Sequence, residues 1–317
     1  MSSDGIKLDH EVISQTIKKE GKYTEPEILI KKWESDTAES LMFVGEIKKQ
    51  KLPFLGILNG YLERDGFGVQ DLKNGDKYFG YFDENQKEKH GIYMFKPEED
   101  GEKIKSEFYY GSWKDDQINE RGTYLWLTED KKKKPFTDFD KSSFDLYVGK
   151  FKDGVFDKGT FMTKKEDDYY VYHGDFDKSG NQTTEKGFLY SATQELLLFG
   201  KFDKNVFVSG YVANFDDEGK IKDIAKYEDK KTIPMEQINE EERNKNGQIM
   251  ETFRNVILGK DYFGDAYNQF NKVLTFLEKQ MNNVDIFNSD NYLDILSVTA
   301  AYNKMLIFND ITKLVEY

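Results

Sequence analysis

The chain has 317 residues, enough for one long domain or two ordinary ones. Aromatics make up 15% of it, with 20 Tyr and 25 Phe, a content foreign to disordered chains. A net charge of −13 excludes a general attraction for nucleic acid or anionic lipid, and the lack of cysteine excludes disulfides and thiolate metal sites.

The opening Met1-Ser-Ser-Asp-Gly-Ile-Lys has no apolar stretch of the secretory kind, and its early acids argue against a mitochondrial presequence. No window approaches the ~18 apolar residues of a membrane span. With no cysteine to oxidise, a cytoplasmic location is expected. Residues 1–40 read as a lead-in. Ile13 and Ile17 suggest a short helix, and Glu27-Ile-Leu-Ile-Lys-Lys-Trp33 a strand or docking segment. Two roles fit: a cap on the first repeats, or an arm for a partner.

Residues 41–220 carry a recurring phrase, aromatic-x-Gly-x-aromatic. It occurs as Tyr78-Phe-Gly80-Tyr-Phe82, Tyr109-Tyr-Gly111-Ser-Trp113, Tyr147-Val-Gly149-Lys-Phe151 and Tyr172-His-Gly174-Asp-Phe176. A fifth copy, Leu198-Phe-Gly200-Lys-Phe202, starts with Leu, and Phe43-Val-Gly45-Glu-Ile47 is a worn one. A second glycine follows each of Gly80, Gly111, Gly149, Gly174 and Gly200, opening a new apolar run at Gly91, Gly122, Gly159, Gly187 and Gly210. Tyr78, Gly80 and Phe82 share parity, as do Gly91, Tyr93 and Phe95, so each set lies on one strand face. The glycine leaves a hole in which a ring lies over bare backbone. Polar turns such as Lys152-Asp153-Gly154 and Asp177-Lys178-Ser179-Gly180 join the two runs, so each unit is a β-hairpin that must stack on its neighbours. Polar insertions at 96–107 and 128–144 are expected as loops on one edge of the array.

These residues resemble the MORN-repeat family (membrane occupation and recognition nexus). The best single match is Gly60–Phe82, with Gly66-x-Gly68, Asn74-Gly75-Asp76-Lys77-Tyr78 and the Gly80 anchor. The resemblance spans 41–220, and the recurrence in register makes it specific. One departure stands out: Lys89 and Glu120 stand where the family's first glycine of Gly-x-Gly would be, before Gly91 and Gly122. The resemblance implies a structural, non-enzymatic scaffold. The family is frequent in cilia and flagella, in radial spokes, other axonemal complexes and basal bodies. Its name also suggests phosphoinositide binding, for which the one dense basic run is Lys131–Lys134. The Asn- and Lys-rich composition is that of an AT-rich protist genome.

Residues 221–317 change character. Pro234 and the acidic Glu236, Glu240, Glu241 and Glu242 suit a helix start. Met250, Phe253 and Ile257 form a stripe; Phe263, Tyr267, Phe270, Leu274 and Leu277 form a seam; Asn288-Ser-Asp290 caps a third helix bearing Ile295, Val298, Tyr302 and Met305. The expected fold is therefore mainly β with α: an elongated twisted sheet of stacked hairpins followed by a C-terminal helical bundle. The helices either cap the array or meet a partner.

Signals for chemistry are poor. His10, His90 and His173 share no metal-ligand spacing, and there is no nucleophile elbow, phosphate-binding loop or His-Glu-x-x-His. Asp175–Asn181 alternates carboxylates like a calcium loop but lacks the twelfth-position Glu. Asp167-Asp168 and Asp216-Asp217 read as turn residues. No lipid-kinase or methyltransferase motif, as some MORN proteins carry, follows the array. No cofactor, metal or small-molecule substrate is expected. The candidate partner-facing aromatics are Tyr93, Trp113, Tyr124, Trp126, Phe151, Phe161 and Phe176. An aromatic face of this kind binds a protein segment by burying apolar area, worth ~25 cal/mol per Å² before binding costs.

Overall fold

The computed structural model describes residues 40–49, 62–130, 143–165, 168–216 and 218–258. The described chain is mainly antiparallel β. Its strands are β1 (Ser40–Lys49), β2 (Leu62–Leu72), β3 (Lys77–Asp83), β4 (Gln86–Met94), β5 (Glu98–Asp100), β6 (Lys103–Lys114), β7 (Gln117–Asp130), β8 (Ser143–Lys152), β9 (Val155–Lys165), β10 (Asp168–Asp175), β11 (Thr184–Ser191), β12 (Leu196–Asp203), β13 (Val206–Phe215), β14 (Ile221–Glu228) and β15 (Lys231–Ile233). A helix, α1 (Glu240–Leu258), follows. The chain divides into two compact units, Met1–Lys131 with Leu146–Asp157, and Lys132–Asp145 with Lys158–Tyr317. In the first the strand order is β1-β2-β3-β4-β6-β7, with β5 pairing β6. In the second it is β9-β10-β11-β12-β13-β14-β15.

The glycines set the register. In the first unit Gly45, Gly68, Gly80, Gly91, Gly111 and Gly122 stand opposite one another on successive strands. In the second, Gly159 faces Gly174, and Gly187, Gly200 and Gly210 face in turn. The tyrosine two residues before an anchor fills the hole. A Cβ at Gly80 would meet Tyr78 Oη at 2.3 Å, and one at Gly91 would meet the same ring at 2.4 Å. One ring thus covers two bare backbones. Tyr109 does the same over Gly111 and Gly122. The tyrosine hydroxyl then turns down onto its own strand. Tyr78, Tyr109, Tyr147 and Tyr172 donate to the carbonyls of Tyr81, Ser112, Lys150 and Asp175, at 3.1, 2.9, 2.6 and 2.9 Å. Burial pushes the Tyr78, Tyr109 and Tyr172 hydroxyls far up from their ordinary range, so they remain donors.

Two further devices stack the hairpins. The tight turns Glu84-Asn85, Asp115-Asp116, Asp153-Gly154 and Lys204-Asn205 have positive φ at both central residues, which matches the strand twist. The second residue of each then grips the preceding hairpin. The Asn85 amide donates to the Arg64 carbonyl at 3.0 Å, while the Arg64 amide donates to Asn85 Oδ1 at 2.9 Å. Asp116 repeats this on Lys87 and Asn205 on Gln182. Gly154, without a side chain, makes the amide half of the contact, to Ile118.

The structure departs from the sequence expectations in two places among these elements. The 96–107 insertion is not a loop: β5 and the start of β6 form a hairpin extension around Gly101. The sheet runs past residue 220 to Ile233, because Ile221, Ile224 and Tyr227 sustain strands that carry no anchor glycine. Of the expected helical bundle, α1 lies among the described residues. The seam at 263–277, the third helix, the lead-in up to residue 39 and Lys131–Lys134 lie outside them. Helix α1 is capped by Asn239, whose Oδ1 accepts the Glu241 amide at 2.9 Å, and Glu240, Glu241 and Glu242 fill its first turn. Its buried Met250 and Phe253 pack on the sheet of the second unit, and Phe253 stacks on Phe188 at 4.0 Å. Arg254 pairs with Glu195 at 3.2 Å and lies over the Phe215 ring.

A side chain in place of glycine two residues before the stripe has a cost. Gly66 has φ 106°, and the equivalent Lys89 and Glu120 are held at φ 60° and 58°. A side chain there strains against its own carbonyl. Each of Lys89→Gly and Glu120→Gly should raise stability by about 0.5–1 kcal/mol in urea unfolding, after the entropy of glycine is counted. The reverse change, Gly66→Lys, should lower it by a similar amount.

Candidate interaction site

On the sheet face that carries the glycine stripe, aromatic side chains of the first unit form two layers, while Phe79 and Tyr110 alternate with the stripe glycines and point to the other face. The inner layer is a zipper. Tyr78 and Tyr109 each meet the aromatic four residues on in their own strand and its counterpart in the next repeat, edge to face. Trp113 sits between Tyr78 and Tyr109 at 5.3 and 5.4 Å, and Phe151 between Tyr109 and Tyr147 at 5.2 and 5.1 Å. Trp113 and Phe151 are both buried. The sequence pattern offers them to a partner; the structure places them in the core instead, because each is wedged between two anchor rings.

The outer layer is half-buried. Tyr93 contacts Phe95 at 4.7 Å, Phe95 contacts Tyr124 at 5.8 Å, and Tyr124 stacks on Trp126 at 4.1 Å. Trp126 meets Phe156 edge-on at 5.9 Å, and Phe156 stacks on Tyr147 at 4.1 Å. Of the candidate aromatics, Tyr93, Tyr124 and Trp126 stand together here. Phe161 and Phe176 are half-buried in the second unit, where Phe176 packs on Tyr172 at 5.2 Å. Sequence reasoning missed Phe95 and Phe156 as site residues. The parity of Gly91, Tyr93 and Phe95 was the signal for the first, and the position two beyond the Asp153-Gly154 turn for the second.

Both carboxylates and cations are set into this face. Asp76 is buried; its Oδ2 accepts Tyr93 Oη at 2.7 Å and Asn74 Nδ2 at 2.6 Å, and its Oδ1 accepts the Lys96 amide at 2.8 Å. Glu107 Oε2 accepts Tyr124 Oη at 2.9 Å. Burial, and then this bond, push the Tyr124 hydroxyl up. Two cations of the chain lie on the rings. Arg64 sits 4.9 Å from the Phe82 centroid. Lys87 Nζ lies 5.6 to 5.8 Å from Tyr78, Tyr93 and Trp113 and 3.3 Å from Asp116 Oδ1.

The remaining chemical candidates are occupied structurally. Asp177 Oδ1 accepts the Ser179 and Asn181 amides at 2.8 and 2.9 Å, so the calcium-like stretch Asp175–Asn181 is an Asx-type turn. Asp216 does the same for Glu218 and Lys220. Asp167, Asp217 and His10 lie outside the described residues. Among the described residues no group of three or more His, Cys, Asp or Glu is placed to hold a metal, and no helix is long and apolar enough to cross a membrane. His90 is half-buried with its Nδ1 3.5 Å from Ser112 Oγ. His173 is buried beneath Phe253, with Nδ1 2.8 Å from Thr160 Oγ1 and Nε2 without a hydrogen-bond partner among the described residues. No protein-family model and no curated protein matches the chain.

Burial lowers the His173 pKa to about 4 from 6.5. The native state therefore holds the ring neutral, while the unfolded chain protonates near 6.5. Stability is fully present above pH 6.5 and is lost as pH falls towards 4, by about 3 kcal/mol from this group. Urea unfolding of wild type and His173→Phe across pH 7 to 4 should show that slope in wild type and its absence in the variant.

Proposed function

We propose that the protein is a non-enzymatic scaffold that binds other proteins through the aromatic face of the β4–β7 region. The observation that carries this is the half-buried row Tyr93, Phe95, Tyr124, Trp126 and Phe156, contiguous ring on ring. Rings of this kind are interface anchors, because they add large rigid area at low entropic cost. Beneath them the inner zipper fixes their positions, so little ordering is left for binding to cost. Asp76 and Glu107 accept tyrosine hydroxyls and Asp116 serves a turn clamp, which favours a scaffold over an enzyme.

The setting we propose is a ciliary axoneme or related cytoskeletal assembly. Its support is the resemblance of residues 41–220 to MORN repeats. Phosphoinositide tethering is the weaker reading. The carboxylates of Asp76 and Glu107 oppose a phosphate headgroup on this face.

The test is recovery of partners by tagged wild-type and Trp126→Ala chains from native cells, with and without detergent-extracted membrane, read by mass spectrometry. Wild type should recover cytoskeletal proteins without membrane, and Trp126→Ala should recover at least fivefold less. Equal recovery by both chains, or recovery with membrane alone, would overturn the proposal.

A further inference from the structure

We infer that the outer aromatic face recognises a cationic side chain of its protein partner, arginine above all, over Glu107. This rests on the interaction reading of the same face and names the chemistry of its occupant. Acid and aromatic alternate from the residues just outside β3 and β4 into β6 and β7. Asp76 contacts Tyr93 and the Lys96 amide beside Phe95; the Phe95 amide donates to the Glu107 carbonyl at 3.1 Å; Glu107 faces Trp126. The row therefore reads Asp76, Phe95, Glu107, Trp126.

Glu107 is half-buried among these rings and uses Oε2 for Tyr124. Its Oε1 has no hydrogen-bond partner among the described residues. A purely apolar occupant would bury that oxygen dry, which is costly. An anion would meet it with like charge. A guanidinium satisfies both surfaces, since it stacks on ring faces and hydrogen-bonds a carboxylate.

The chain itself uses this chemistry twice on the same face. Arg64 lies over Phe82 and Phe43 at 4.9 and 5.9 Å. Lys87 lies among Tyr78, Tyr93 and Trp113 with Asp116 as counter-ion. At the equivalent positions of the next two hairpins, two residues beyond the turn, the chain places Ile118 and Phe156 instead. The cation of the earlier hairpins is thus not repeated at those two positions, beside the outer row. The net charge of −13 draws a cationic partner in.

The experiment is an NMR titration of the full chain with acetyl-Gly-Pro-Arg-Pro-Gly-amide, read at the indole N–H signals. The chain has 3 Trp, which makes assignment by single substitution direct. Trp126 should shift, and the buried Trp113 should shift far less. The citrulline analogue, isosteric but uncharged, should leave Trp126 still. Glu107→Gln should weaken the arginine peptide at least fivefold. Glu218→Gln, which removes an exposed charge in the second unit, should leave it unchanged. An unmoved Trp126 at millimolar peptide, an equal shift with citrulline, or equal weakening by the two charge variants would overturn the inference. If Trp126→Ala loses its cellular partners while Glu107→Gln keeps them, the interaction reading stands and the cation alone fails.

Discussion

A tyrosine ring lying flat over two glycines is the contact on which this sheet depends. Tyr78 covers Gly80 in its own strand and Gly91 in the next, and Tyr109 covers Gly111 and Gly122. A glycine within a strand normally weakens it. Here its missing Cβ admits a ring that buries large apolar area and returns its hydroxyl to a carbonyl three residues on. Where Leu198 replaces the tyrosine, no such ring is present, yet the paired backbones lie no closer than beneath a ring, since a Cβ at Gly80 would also meet Gly91 Cα at 2.6 Å. A Cβ at Gly200 would meet Ser209 O at 2.2 Å and Gly210 Cα at 2.6 Å. The stripe therefore survives with or without the ring, but with it the strand gains a fixed point for the aromatic zipper.

Everything on the candidate binding face follows from that fixed point. The anchor tyrosines hold Trp113 and Phe151 edge-on, and those rings hold the outer row in place. The turn clamps set the spacing between hairpins, since Asn85, Asp116 and Asn205 each make both bonds of a local β-bridge with one side chain and one amide. The second unit covers one sheet face with α1 and leaves His173 neutral beneath it. Buried tyrosines and a buried neutral histidine serve packing, and the half-buried rings of the outer row are the ones proposed for recognition.

Much of this was legible in the sequence. Parity placed Tyr78, Gly80 and Phe82 on one face, and the recurrence of glycines named the strand pairs. Sequence could not show that six glycines align across six strands, because register depends on the bulges beside Lys89 and Glu120. It also could not divide the aromatics into layers. Trp113 and Tyr93 look alike in the phrase, yet Trp113 lies between two anchor rings and Tyr93 lies above them. The clamps were invisible for a similar reason: an Asn in a turn announces the turn, not the strand it grips. Strand β14 was missed because its pairing needs no anchor glycine, and His173 could be judged only once Phe253 was placed over it.

The central claim is that the glycines exist to admit the tyrosine ring. Gly91 tests it best, because the three atoms nearest to its Cβ would all belong to Tyr78. The measurement is a double-mutant cycle of Gly91→Ala and Tyr78→Leu in urea unfolding. The account predicts that Gly91→Ala costs about 2–3 kcal/mol in wild type, as overpacking does, and under about 1 kcal/mol once Tyr78 is Leu. A cost unchanged by the loss of the ring would contradict it.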